Sequence, residues 1–198
     1  MALRVFAIAS FVFLLDPTSI FAQSFEAGGH FASSRWSEFE GSDNGVGGRL
    51  TWNASSLIGV DAEVTWYPSD FTDSVSFSRR RVEGLFGATI GPRIDRVRPF
   101  AKVAAGFLNI APTSGGFACI AIFPPPLSCL LAGGETLPAV EFGGGLIVDA
   151  TDRTFVRIDV SDRMLKYPGP TFDDNFEIRD DAFFGHALRL TLGAGIRF

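Results

Sequence analysis

The chain has 198 residues, of which 46% are hydrophobic, with Gly 22, Phe 21 and a formal net charge of −5. That length accommodates one domain plus a targeting segment, not two domains. Lys+Arg total only 17, which leaves no basic field to hold nucleic acid, and no helical repeat, RNA-binding signature or zinc-finger spacing occurs.

Met1–Ala22 reads as a secretory signal. Arg4 gives it a positive start, Val5–Leu15 is a short apolar run, and Thr18-Ser19-Ile20-Phe21-Ala22 ends on a small residue suited to cleavage. The run is shorter than the roughly 20 apolar residues a bilayer requires. After Gln23 no window is long and apolar enough for a transmembrane helix. A membrane-spanning form of residues 23–198 must therefore be a barrel.

From there the chain alternates with period two, the mark of strands with one polar and one apolar face. Segment 25–34 sets Phe25, Ala27 and Phe31 against Glu26, Gly28 and His30, and 46–53 sets Val46, Leu50 and Trp52 against Gly47, Arg49 and Asn53. Segment 58–67 sets Ile58, Val60, Ala62, Val64 and Trp66 against Gly59, Asp61, Glu63, Thr65 and Tyr67. Segments 82–91 and 99–108 put Glu83, Gly87, Thr89, Lys102 and Gly106 on the polar face. Segments 139–149 and 155–163 add Glu141, Gly143, Gly145, Asp149, Arg157, Asp159, Ser161 and Arg163. The last segment sets Leu188, Leu190, Leu192, Ala194, Ile196 and Phe198 against Arg189, Thr191, Gly193, Gly195 and Arg197. That makes eight strands. Leu85, Phe100, Leu108, Ile147 and Phe155 fall on the polar face and mark possible bulges or strand ends.

Links near Ala54–Leu57, Pro92–Arg98 and Ala150–Thr154 are short, whereas Ser37–Gly45, Pro68–Arg80, Asn109–Pro138 and Met164–Gly185 are long. Alternating short turns and long loops are the layout of a bacterial outer-membrane barrel, short turns to the periplasm. The expected fold is all-β: an eight-stranded, antiparallel, up-and-down transmembrane barrel in the bacterial outer membrane, with no domain after it.

The composition of the polar face sets its direction. Glycine weakens a strand, yet this face is rich in glycine, which suits the cramped interior of an eight-stranded barrel. Its charges nearly cancel, as buried charges must. The apolar face carries almost none, as lipid demands. Glu141, Asp149, Arg157, Asp159 and Arg189 are the expected members of an ionic network that plugs the lumen, because their strands are neighbours.

The chain resembles the outer-membrane β-barrel domain family related to the transmembrane domain of outer-membrane protein A. The residues that carry the resemblance are the signal, Gly91-Pro92-Arg93 followed by Arg98-Pro99-Phe100-Ala101, Gly143-Gly144-Gly145, and the terminal Gly193-Ala194-Gly195-Ile196-Arg197-Phe198. It implies a fold and a location more than an activity. It also implies that Phe198 is part of the signal read by the outer-membrane assembly machinery. The periplasmic peptidoglycan-binding domain of some relatives is missing, so wall tethering is not an expected role.

No catalytic set, cofactor site or metal site emerges. Some eight-stranded barrels are lipid A deacylases using Ser, His and an acid, but His186-Ala187-Leu188 lacks the serine two residues after the histidine. His186 falls on the lipid side near the outer rim, and His30 on the lumen side with Ser34. Cys119 and Cys129, the only cysteines, are expected to form a disulfide across the third long loop, around Pro124-Pro125-Pro126. Asp173, Asp174, Glu177, Asp180 and Asp181 make the last loop acidic; it is read as a solvated surface, with cation bridging to lipopolysaccharide as the sharper alternative. Arg79-Arg80-Arg81 is a candidate contact for the same phosphates. The expected function is a monomeric, non-enzymatic barrel serving envelope integrity or surface contact, with outer-membrane lipid, lipopolysaccharide and the assembly machinery as partners. The alternatives are a lipid A deacylase-like enzyme and a secreted lipocalin-like small-molecule binder.

Overall fold

The computed structural model describes residues 24–37, 42–68, 80–112, 131–169, 171–172, 178–179 and 182–198. Residues 1–22, expected to be a secretory signal, together with Arg79, Cys119, Cys129 and the acidic loop residues Asp173, Asp174, Glu177, Asp180 and Asp181, lie outside them.

Eight strands close into a ring: β1 (Ser24–Trp36), β2 (Ser42–Asn53), β3 (Ile58–Tyr67), β4 (Arg81–Ile90), β5 (Val97–Ile110), β6 (Glu135–Asp149), β7 (Thr154–Tyr167) and β10 (Phe183–Arg197). A two-residue pair, β8 (Thr171–Phe172) and β9 (Ile178–Arg179), stands apart from it. Every neighbour in the ring is antiparallel, and β10 closes onto β1. The expected eight-stranded up-and-down barrel is what the chain forms.

The short turns are built from local chemistry. Ser55 Oγ accepts from the amides of Leu57 and Ile58 at 3.2 and 3.0 Å between β2 and β3. Thr151 Oγ1 accepts from Arg153 and Thr154 at 3.2 and 3.0 Å between β6 and β7. Between β4 and β5, Ile94 and Val97 exchange both backbone hydrogen bonds, with Asp95 at φ 53°, a left-handed conformation that Asp tolerates better than most residues.

Register is unbroken in every ladder, so Leu85, Phe100, Leu108, Ile147 and Phe155 are not bulges. They point inward and are buried. Following paired residues from Glu26 through Thr51, Asp61, Gly87, Ala104, Glu141, Arg163 and Ala187 returns to β1 at Trp36. That stagger of ten residues sets a strand tilt of roughly 40–45°.

Strands run beyond the alternating segments read from sequence, chiefly at the long-loop end: β1 reaches Trp36, β2 starts at Ser42 and β6 at Glu135. There the lumen is filled by an apolar layer that includes Trp36, Tyr67, Leu85, Leu108, Leu137, Leu165 and Tyr167. Leu131, in a short 3-10 turn Leu131–Gly133, folds into it from the third long loop. A smaller layer of Phe100, Ile147 and Phe155 fills the short-turn end. Ionised side chains lie between the two. Outside, large apolar side chains stand exposed along each of the eight strands of the ring, Leu50 and Phe86 at 64% each, a surface suited to lipid rather than water.

Candidate functional site

The middle of the lumen is a connected set of ion pairs. Glu63 on β3 is its hub. Its carboxylate meets Arg49 at 2.5 Å and Lys102 at 3.5 Å, pairs with Arg189, and lies 3.6 Å from His30 Nε2. Glu141 on β6 binds Lys102 at 2.5 Å and Arg189 at 3.1 Å. Asp159 binds Arg49 at 2.6 Å and Arg157 at 2.9 Å, and Arg157 reaches Asp61 at 2.8 Å. Glu83 pairs with Arg163 and lies 3.3 Å from Arg189. All of these side chains but the part-buried Arg49 are buried, so each charge depends on its partners to remain ionised.

Hydroxyl groups extend the set. Thr65 Oγ1 lies 2.9 Å from His30 Nε2 and accepts from Arg189 at 3.0 Å. The Tyr67 hydroxyl accepts from Arg189 at 3.3 Å and Arg163 at 3.4 Å. The arginines also face the apolar end layers. Arg157 stacks over Phe100 at 4.3 Å and Arg163 over Trp36 at 5.0 Å, which gives each cation an aromatic face as well as an anion.

Glycines make room for this layer. A Cβ on Gly47 would stand 2.6 Å from His30 Nε2 and also meet the Val64 carbonyl. One on Gly145 would stand 2.9 Å from Asp159 Oδ1 and meet the Ile158 carbonyl.

All five residues expected in the network face the lumen, but their partners differ from those that strand adjacency suggests. Arg189 meets Glu141 from two strands away and is not paired with Asp159; the two are joined through Arg49 and Glu63. Asp149 belongs to a separate group at the short-turn rim, where Arg197 bridges it at 2.9 Å to Glu26 at 2.8 Å. In a lumen this narrow a guanidinium reaches past its neighbour strand, which adjacency does not reveal.

Arg81 also departs from expectation. It is buried against Asp43 at 2.8 Å and lies 5.8 Å from the Trp36 ring centre, so it is not an outer contact for lipid phosphates; Arg80 beside it is exposed. Asp43, Arg81 and Arg98 are further inward charges, just beyond the alternating segments of the sequence. Continuing the phase from Arg49 through Gly47 and Gly45, and from Glu83 back one step, identifies the first two. Arg98 donates to Asn53 Oδ1 at 2.6 Å.

His186 stands outside, near the long-loop end, with Nδ1 2.8 Å from Asp162 Oδ2. Ser37 Oγ donates to the His186 carbonyl at 2.8 Å and accepts from its amide at 3.1 Å. Phe198 donates its amide to Phe25 at 2.8 Å and leaves its ring exposed.

No protein-family model and no curated protein matches the chain. Among solved structures, Neisserial surface protein A is similar with a TM-score of 0.53 and 12% identity, over 89% of this chain and 97% of that one. The N-terminal β-barrel domain of Pseudomonas aeruginosa OprF has a TM-score of 0.48 and 14% identity, over 87% and 97%. At such identity the Neisserial match speaks for fold alone. The fold is that of a small outer-membrane β-barrel.

Proposed function

We propose that this chain is a non-enzymatic outer-membrane barrel that supports envelope integrity or surface contact through its long loops, with a lumen closed to ions. The observation that carries the closure is the connected charge layer around Glu63, Glu141 and Arg189, capped by apolar layers at both ends. An ion entering would have to displace paired groups that gain nothing comparable in exchange. The exposed apolar exterior speaks against the lipocalin-like alternative, since such a surface would aggregate in water.

Purified mature protein in planar bilayers is expected to show no stable conductance at neutral pH. Steady ohmic pores, free of contaminating porin, would overturn the closed lumen. Fractionation of the native protein away from the outer membrane would overturn the location.

A second reading, a lipid-modifying barrel, has one observation behind it: Asp162 holds His186 Nδ1 on the exterior, as an orienting acid holds a base. A lipid A profile unchanged by deletion of the gene would remove that reading.

A further inference from the structure

Among the described strand residues, charge on the exterior of the barrel wall is confined to one place. Among the described residues of β2, β3, β4, β5 and β6, no outward-facing strand residue is ionisable; toward the long-loop end those strands present Asn44, Trp66, Val82, Asn109 and Thr136. On β1, β10 and β7, which are consecutive in the ring, four are: Arg35, His186, Asp162 and Lys166.

Register brings these four together. His186 is opposite Met164, so Asp162 and Lys166 are its diagonal neighbours on β7. Arg35 is opposite Leu188, the next outward residue on β10. Diagonal neighbours on a sheet face lie roughly 7–8 Å apart, within reach of long side chains. His186 and Asp162 form a pair at 2.8 Å with side chains 54% and 49% exposed. Among the described residues neither Arg35 nor Lys166 has an ion-pair partner, so two cations remain once that pair is set aside.

Depth decides what those cations meet. Asp162 lies between Leu188 and Phe142, both exposed and apolar, so the lower edge of the cluster touches the apolar band. Phe184, exposed and opposite Lys166, stands at its upper edge. The cluster thus straddles the boundary where acyl chains give way to headgroups, and the anions at that boundary are lipid phosphates.

We propose that Arg35, His186 and Lys166 form a docking site for the phosphate of an outer-leaflet lipid, whose acyl chains lie against Leu188, Leu190 and Val160. His186 turns Nδ1 to Asp162 and leaves Nε2 to face the phosphate. Arg35 and Lys166 close on it from either side. This rests on the reading of the exterior as lipid-facing.

The test is native mass spectrometry of the mature barrel after incubation with lipid A, with dephosphorylated lipid A, and with inorganic phosphate as competitor. Near a membrane surface each basic residue strengthens attraction about fivefold. Lipid A should therefore be retained about tenfold or more over its dephosphorylated form, and Arg35→Gln/Lys166→Gln should abolish that preference. Asn109→Ala, on the exterior of β5, should leave it intact. Equal retention of the two lipids, an unchanged preference in the double variant, or displacement by millimolar phosphate would overturn the site. So would a dimer lost in the double variant, which would make the face an interface between copies. Heat-dependent gel mobility reports whether each variant forms a barrel; if the double variant does not, Lys166→Gln alone must weaken the preference. Failure of the unmodified chain to form a barrel in lipid would instead overturn the outer-membrane reading beneath it.

Discussion

Arg157 on β7 donates to Asp61 on β3 at 2.8 Å, and these strands are four steps apart in a ring of eight, so one guanidinium spans the full width of the lumen. The same guanidinium holds Asp159 at 2.9 Å on its own strand. Arg157→Ala would leave two buried carboxylates without this cation, a loss of about 3–5 kcal/mol for a buried pair broken on one side. Urea unfolding of the refolded barrel in detergent should show that loss. Asp61→Asn/Arg157→Gln should lose less than the two single changes summed; simple additivity would mean the pair is not coupled.

Such a pair explains what could and could not be read from sequence. Side-chain period is local, so the inward placement of Glu63, Lys102 and Arg163 follows from alternation alone. Partnership depends on stagger and barrel width, which no single strand encodes. Strand adjacency alone therefore places Arg189 beside Arg157 and Asp159, whereas its guanidinium crosses to Glu63 and Glu83. Phe100, Ile147 and Phe155 violated the alternation because the lumen ends need apolar filling, not because the strands bend there. Asp43 and Arg81 sit in loop-like stretches of sequence, Arg81 within a run of three arginines, where no alternation marks them as inward.

Two glycines of opposite facing separate space from flexibility. Gly47 faces the lumen, and a Cβ there meets His30 at 2.6 Å. Gly29 faces outward, where an added Cβ would meet the Gly47 carbonyl oxygen at an ordinary contact distance of 3.7 Å. Gly47→Ala should lower the temperature at which the folded gel band is lost. Gly29→Ala should raise it, since alanine is better than glycine in a strand interior by roughly 0.5–1 kcal/mol. The same sign for both would show that packing in the lumen is looser than the geometry indicates.

Cys119 and Cys129 are expected to be joined. Closing a loop of their separation stabilises by roughly 2–3 kcal/mol in the entropic account, less any strain. Thiol titration of denatured protein from intact cells should find no free sulfhydryl before reduction and two after it. Two reactive thiols in unreduced protein would refute the pairing.

Phe198 is expected to act in assembly more than in the finished barrel. Its amide ties the end of β10 to Phe25, but its ring is 72% exposed and packs little. Deleting it should lower the amount of protein in the outer membrane and leave unassembled chain in the periplasm. The thermal midpoint of whatever assembles should shift little. Normal assembly with a large fall in midpoint would invert the roles.

Arg189 is the residue whose loss should be felt most widely. Its guanidinium pairs with Glu63, stands 3.1 Å from Glu141 and 3.3 Å from Glu83, and donates to Thr65 and Tyr67. Arg189→Ala removes the cation common to three buried carboxylates, although Lys102, Arg49 and Arg163 still reach some of them. Glu141→Ala removes an anion from Lys102 and Arg189, each of which keeps Glu63 nearby. Both changes should destabilise, Arg189→Ala by about 3–5 kcal/mol, and Glu141→Ala by less because its cations retain a carboxylate. Joining them should restore part of the loss, since the double variant deletes one charge of each sign from the same layer. Unfolding midpoints of the three variants in one detergent give the comparison directly. If Glu141→Ala were the more damaging change, the layer would depend on that carboxylate more than on this one arginine.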